Sequence, residues 1–166
     1  YNKAIEGAID PVEKLIRNLR GASHREVDVA YERNFGSYFA GTFRNVMTLG
    51  HLHFDFAPFE AQGWDIANVS NQVSWNLYLN QPSGGDLNVY NRPYSPKDEE
   101  LRVVGEYYYD DVIVSGSQKY SYSPQVGDVV IFNCRYIHEV KPVNGDRFSL
   151  SSFIGQMPNG DLVLWS

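Results

Sequence analysis

The stretch Gly50-His51-Leu52-His53-Phe54-Asp55-Phe56-Ala57-Pro58 decides how this chain is read. It places two imidazoles and a carboxylate within five residues of a strand-like run. Side chains alternate between the faces of a β-strand, so His53 and Asp55 point the same way and can reach one ion as neighbouring ligands. A third ligand must come from another strand. His138, at the end of Val129-Val130-Ile131-Phe132-Asn133-Cys134-Arg135-Tyr136-Ile137, is the best placed of the remaining histidines. Two histidines and one carboxylate with positions left open form the facial arrangement of non-haem iron(II) oxygenases. His51 shares the face of His53 by the same alternation, so a triad built on His51 and His53 stays open, although it leaves Asp55 without a role.

The surrounding residues extend the pattern. Tyr78-Leu79-Asn80, Gly84-Gly85-x-Leu87, Pro124-x-x-Gly127-Asp128 followed by Val129-Val130-Ile131-Phe132, His138-x-Val140-x-Pro142-Val143 and Gly145-Asp146-Arg147-Phe148-Ser149 follow His53-x-Asp55 in order. His-x-Asp alone arises by chance in many proteins, whereas the ordered set does not. Together these motifs resemble the iron(II)- and 2-oxoglutarate-dependent oxygenases, prolyl hydroxylases included, from about Val46 to Phe153.

The resemblance implies an all-β core with an N-terminal helix, folded as a double-stranded β-helix, the jelly-roll-like barrel of that family. It implies iron(II) held by His53, Asp55 and His138, with 2-oxoglutarate as cosubstrate and O2 as oxidant. Arg147, nine residues after His138, matches the family position that holds the far carboxylate of 2-oxoglutarate, and a guanidinium can grip a carboxylate through two parallel hydrogen bonds. Tyr78 matches the cosubstrate-binding tyrosine, with Ser149 and Asn76 beside it. Phe54 and Arg92 are expected to touch substrate, Arg92 having a solvated loop cation as its plainer reading. Halogenating relatives carry a small residue where Asp55 stands, which points here to hydroxylation.

Length and composition agree with this reading. The 166 residues suit one domain, with residues 1–43 packing against a β-core of residues 44–166. With 43% hydrophobic and 20% charged residues the chain is globular rather than disordered. A net charge of −6 argues against nucleic acid as partner. The one cysteine, Cys134, provides no disulfide framework and reads as a buried thiol. No run approaches the ~18 apolar residues of a membrane span, so the cytoplasm is the default compartment. The chain opens at Tyr1 without an initiator methionine, which fits a missing N-terminal segment.

Along the chain, Asp10-Pro11-Val12-Glu13 reads as a capped helix start, Leu15, Ile16 and Leu19 as its apolar stripe, and Gly21 as its stop. Residues 23–41 read as a second short helix or as a loop over the site. Val69 to Asn80 alternates as a strand with Ser74, Asn76 and Tyr78 on one face. Gly84-Gly85 reads as a hairpin turn into Asp86–Tyr90, residues 101–122 as further strands, residues 129–138 as one strand, and Asn144-Gly145 as a second hairpin turn.

The expected substrate is a small molecule, such as a free or carrier-bound amino acid or a natural-product intermediate. A protein prolyl residue is the enzyme alternative, and a metal-binding jelly-roll module without turnover is the alternative outside enzymes.

Overall fold

Asp10 caps the first helix as its sequence predicts: its carboxylate accepts hydrogen bonds from the main-chain N–H groups of Val12 at 2.8 Å and Glu13 at 3.3 Å. The helix α1 (Pro11–Ser23) runs through Gly21 and stops at His24, which takes a left-handed conformation at φ 55°. One glycine without side-chain crowding does not end a helix whose apolar stripe keeps packing. Val12 and Leu15, flanked by Ile16 and Leu19, lie against Trp75, Leu150, Ile154 and Leu164.

The computed structural model describes residues 7–80 and 83–166. In these the chain continues as β1 (Val27–Val29), β2 (Tyr31–Glu32), β3 (Gly36–Ser37), β4 (Thr42–Val46) and β5 (Gly50–His53). A short helix α2 (Ala57–Glu60) and a 3-10 turn lead to β6 (Asn71–Tyr78), β7 (Ser83–Gly84) and β8 (Leu87–Pro93). Then follow β9 (Lys119–Tyr122), β10 (Val129–Phe132), β11 (Tyr136–Val140), β12 (Val143–Asn144), β13 (Arg147–Gln156) and β14 (Leu162–Trp165).

Two sheets carry the site. The larger has the order β1-β14-β13-β6-β10 with β4 also paired to β13, and the smaller has the order β5-β11-β8-β9. Helix α1 covers part of the outer face of the larger sheet, while Leu52, Phe54, Phe56, Tyr109, Ile113 and Ile137 form a second core at the smaller one. The expected barrel is corrected here: the fold is mostly β with one N-terminal helix, but its sheets do not close into a barrel.

Several local expectations also give way. Residues 23–41 form short strands rather than a helix, and their aromatics Phe35 and Tyr38 pack on Trp64, away from the cavity between the sheets. Residues 129–138 are two strands, because the turn at Asn133–Arg135 carries the chain from the larger sheet into the smaller. Among the described residues neither expected hairpin is found: β7 pairs with β12, not with β8 or β13. Gly84 and Gly85 hold φ of 79° and 77°, bending the chain out of one strand pair into another. Residues 101–118 form 3-10 turns, bends and one isolated antiparallel bridge between Arg102 and Tyr109, so Lys119–Tyr122 is the one regular strand of the expected later strands.

Candidate metal centre and cosubstrate pocket

His53 closes β5 and stands opposite His138 on β11, so antiparallel pairing brings the two imidazoles together across one rung. Asp55 lies two residues past His53, where its main-chain N–H donates to the carbonyl of Cys134 at 2.8 Å. Its Oδ2 is 3.3 Å from His138 Nε2 and 3.7 Å from His53 Nε2. Ligand atoms of the three residues all lie within 4.8 Å of one another.

The ring orientations are fixed from behind. His53 Nδ1 sits 2.6 Å from the carbonyl oxygen of His51, and His138 Nδ1 sits 2.9 Å from that of Tyr136. A carbonyl can only accept, so each Nδ1 carries a proton, and each Nε2 faces Asp55, where it offers a lone pair to a metal when the ring is neutral and donates to the carboxylate when it is protonated. Burial pushes the His53 pKa down to about 4, aided by the neighbouring His138 and opposed by Asp55. Burial would raise the Asp55 carboxyl, but the hydrogen bond from His138 and the surrounding positive charge hold it below its ordinary value. Two imidazole lone pairs and a carboxylate oxygen facing one another repel. A proton between His138 and Asp55 relieves one pair, whereas a divalent cation relieves all three. The donor set fits a first-row divalent metal with open positions, iron(II) included.

His51 is absent from this group. Between the His138–His53 and Val140–Gly50 pairs, three steps on β5 match two on β11, and such a bulge breaks alternation. His51 stacks instead on Tyr108, with ring centroids 3.9 Å apart.

The cavity beside the triad has a volume of about 370 Å³ and lies between the sheets. Ser74, Asn76 and Tyr78 of β6 and Arg147, Ser149 and Ser151 of β13 line it; alternation puts each set on one face, and the structure turns that face inward. Arg147 is 5% exposed, donates from Nη2 to the Tyr78 hydroxyl at 3.1 Å, and lies over the Tyr78 ring at 4.8 Å from its centroid. Its Nε is buried with no hydrogen-bond partner, and among the described residues no carboxylate pairs with it. Burial lowers the Arg147 pKa, and the same burial raises that of Tyr78 against the pull of Arg147. A buried guanidinium with a spare donor fits an anion such as the far carboxylate of 2-oxoglutarate. Gly85 permits this packing, since a Cβ there would meet Arg147 Cδ at 3.1 Å.

Two residues expected to touch substrate do not line this cavity. Phe54 points away from the cavity and stacks on Tyr94 at 3.6 Å, because alternation turns the residue between His53 and Asp55 to the opposite side. Arg92 is claimed by the buried Asp98 at 2.6 Å and does not line the cavity. The cavity instead gains Arg44, Tyr107 and Phe132. Tyr107 meets His53 edge-on at 5.6 Å, and Phe132 meets His138 edge-on at 4.9 Å. Arg44 and Tyr107 come from segments with no local metal or cosubstrate motif, so only the three-dimensional pairing brings them to the site.

The family model described as carrier-protein-independent halogenase WelO5 matches residues 4–165. Leucinostatins biosynthesis cluster protein S of Purpureocillium lilacinum is 34% identical over 97% of this chain and 72% of its own length. L-gamma-glutamyl-L-propargylglycine hydroxylase of Streptantibioticus cattleyicolor is 30% identical over 77% of this chain, which thereby covers about half (48%) of that protein. A solved N-substituted L-amino acid dioxygenase of Burkholderia ambifaria AMMD, in complex with alpha-KG, superposes with a TM-score of 0.66 at 17% identity, over 92% of this chain and 62% of that one. A second structure of such a dioxygenase from the same organism gives 0.67 at 17% identity, over 90% and 63%. Iron(II), 2-oxoglutarate and O2 are the cofactor set that fits these matches and the donor geometry. The chain therefore belongs to the family described by the carrier-protein-independent halogenase WelO5, within the iron(II)- and 2-oxoglutarate-dependent oxygenase superfamily.

Proposed function

We propose that this chain hydroxylates an unactivated C–H bond of a small molecule, an amino acid or natural-product intermediate, with conversion of 2-oxoglutarate to succinate and CO2. The observation that carries hydroxylation over halogenation is the Asp55 carboxylate, 3.3 Å from His138 Nε2 within the converging triad. A halide needs a metal position that a protein carboxylate does not fill, and Asp55 takes that position. The matched family is described by a halogenase and the bacterial relative is a hydroxylase, so the residue at this position supports one of two reactions within the family.

In this reading His53, Asp55 and His138 would hold iron(II), which would supply the chemistry of O2 activation with 2-oxoglutarate. Arg147 and Tyr78 hold the far carboxylate of the cosubstrate, with Ser149 and Asn76 completing the polar wall. The carbonyls of His51 and Tyr136 keep both imidazoles in the ligating tautomer. Tyr107 and Phe132 flank the imidazoles and restrict water. A cavity near 370 Å³ stands at the low end of small-molecule sites, roughly 300–1,000 Å³. This size, and the amino-acid-derived compounds in the relatives' names, favour a small substrate.

The test is aerobic incubation of the iron-loaded protein with 2-oxoglutarate and a panel of free and N-acylated amino acids, in chloride and separately in bromide. The expected result is substrate-dependent succinate and a product heavier by one oxygen atom in both salts. A chlorinated or brominated product from the unaltered chain would overturn the hydroxylase reading.

A further inference from the structure

The cavity holds one cation more than the metal and cosubstrate require. Its charged lining residues are Arg44, Arg147 and Asp55, two cations and one carboxylate in a chain of net charge −6. Asp55 belongs to the triad, and the buried Arg147 suits the far carboxylate of 2-oxoglutarate. Arg44 lines the cavity from a solvent-exposed position, and among the described residues no carboxylate pairs with it.

Its position is built rather than incidental. On β4 it stands opposite Ser149, which on its other side stands opposite Tyr78, so Arg44, Ser149 and Tyr78 form one rung of the cavity wall, running from exposed Arg44 to buried Tyr78. The guanidinium is oriented by a 2.7 Å hydrogen bond from Nε to Ser151 Oγ, a buried hydroxyl on the next cavity-facing position of β13. With Nε so held, the remaining guanidinium N–H groups are available to an anion, and an arginine preset in this way recognises a carboxylate through paired hydrogen bonds. Apolar atoms of Val46, Leu49, Phe132 and Phe153 complete the wall, suited to a carbon body rather than to a second charge.

We propose that Arg44 binds the carboxylate of the substrate, so that the chain selects anionic small molecules of the amino-acid or N-acyl-amino-acid type. This rests on the oxygenase reading above, with the cosubstrate on Arg147. The same guanidinium could instead serve the metal-side carboxylate of 2-oxoglutarate, and the test separates the two.

The protein, loaded anaerobically with iron(II) and 2-oxoglutarate, is titrated calorimetrically with L-amino acids, their N-acetyl derivatives and the matching primary amides. The unaltered protein and the variants R44A and R44K are compared, and 2-oxoglutarate binding is followed separately by the visible band of the chelated cosubstrate. A carboxylate should bind roughly tenfold or more tighter than its amide, the preference expected of a charge-assisted hydrogen bond. R44A should lose that preference while R44K keeps part of it, and the 2-oxoglutarate concentration needed for the band should stay nearly constant. Acids and amides binding alike, no acid binding to protein that forms the band, or R44A weakening 2-oxoglutarate instead, would each overturn the assignment. Absence of the band from the unaltered protein would overturn the oxygenase reading itself and this one with it. Thermal midpoints of both variants guard against misfolding, and retained acid preference in a well-folded R44A refutes the proposal outright.

Discussion

Gln72 reaches from β6 to hold the main chain at Asp55: its Nε2 donates to the Asp55 carbonyl at 3.3 Å, while its Oε1 accepts from the Ala57 N–H at 2.8 Å. Nε2 also approaches Cys134 Sγ at 3.6 Å, and the Cys134 carbonyl accepts the Asp55 N–H. Asp55 lies beyond the end of β5, so the strand ladder does not position it. One buried amide and one carbonyl take over that task.

Gln72→Leu keeps a side chain of similar size but removes all three contacts, leaving the Ala57 N–H without its partner. Metal affinity should fall roughly tenfold, the lower end for groups that support ligands from behind. Cobalt(II) or manganese(II) titration measures this, with thermal midpoints to check folding. Unchanged affinity would confine Gln72 to a packing role.

Arg147 predicts an unusual pairing of stability and binding. A buried cation without a counter-ion costs free energy that the cosubstrate would relieve, so 2-oxoglutarate should raise the thermal midpoint of the unaltered protein. Arg147→Met should lose this shift, need roughly 10–100-fold more 2-oxoglutarate, and yet be no less stable than the unaltered protein without cosubstrate. Differential scanning fluorimetry with and without 2-oxoglutarate reads all three.

The segment carrying Tyr107 should loosen in acid. Arg102 donates to Glu99 from Nε at 2.8 Å and Nη2 at 3.0 Å, and from Nη1 to the Tyr107 carbonyl at 3.0 Å. Hydrogen bonding from Arg102, against the opposing effect of burial, pulls the Glu99 carboxyl down to about 2, with Tyr94 and Tyr109 also donating to it. A depressed carboxylate contributes stability above its ordinary value near 4.5, and that contribution fades as pH falls toward 2. The midpoint difference between the unaltered protein and Glu99→Gln should therefore be largest above pH 5 and shrink in acid. A difference independent of pH would show that the carboxylate charge plays no part.

Cys134 should resist alkylation in the folded state. Its side chain is fully buried, and that burial, with the nearby Asp55 charge, pushes the thiol well above its ordinary range. Iodoacetamide should label it only after denaturation. Rapid labelling of native protein would mean that the β10–β11 turn opens.

Much of the site was legible because its signals are short-range. His53-x-Asp55, the alternation of Ser74, Asn76 and Tyr78, and the capped start of α1 each depend on residues a few positions apart, where backbone geometry alone sets direction. The ordered motifs then linked His138 and Arg147 to the same site through their resemblance to one superfamily. Other features were out of reach for a definite reason. The exclusion of His51 depends on a bulge between β5 and β11, the inward placing of Arg44 on the pairing of β4 with β13, and the withdrawal of Arg92 on a buried Asp98.

By itself, then, the sequence determined the chemistry on offer: the donor types, the residues that share one face of β6 and of β13, and the β-rich core behind an N-terminal helix. Only the tertiary structure decided that the sheets stay open, that residues 129–138 change sheets, and which cations face the cavity. The physical reason is one of range. Alternation and capping are written in neighbouring residues, whereas register and partner choice come from packing and pairing between strands far apart in the chain, where one bulge or one buried carboxylate redirects a side chain.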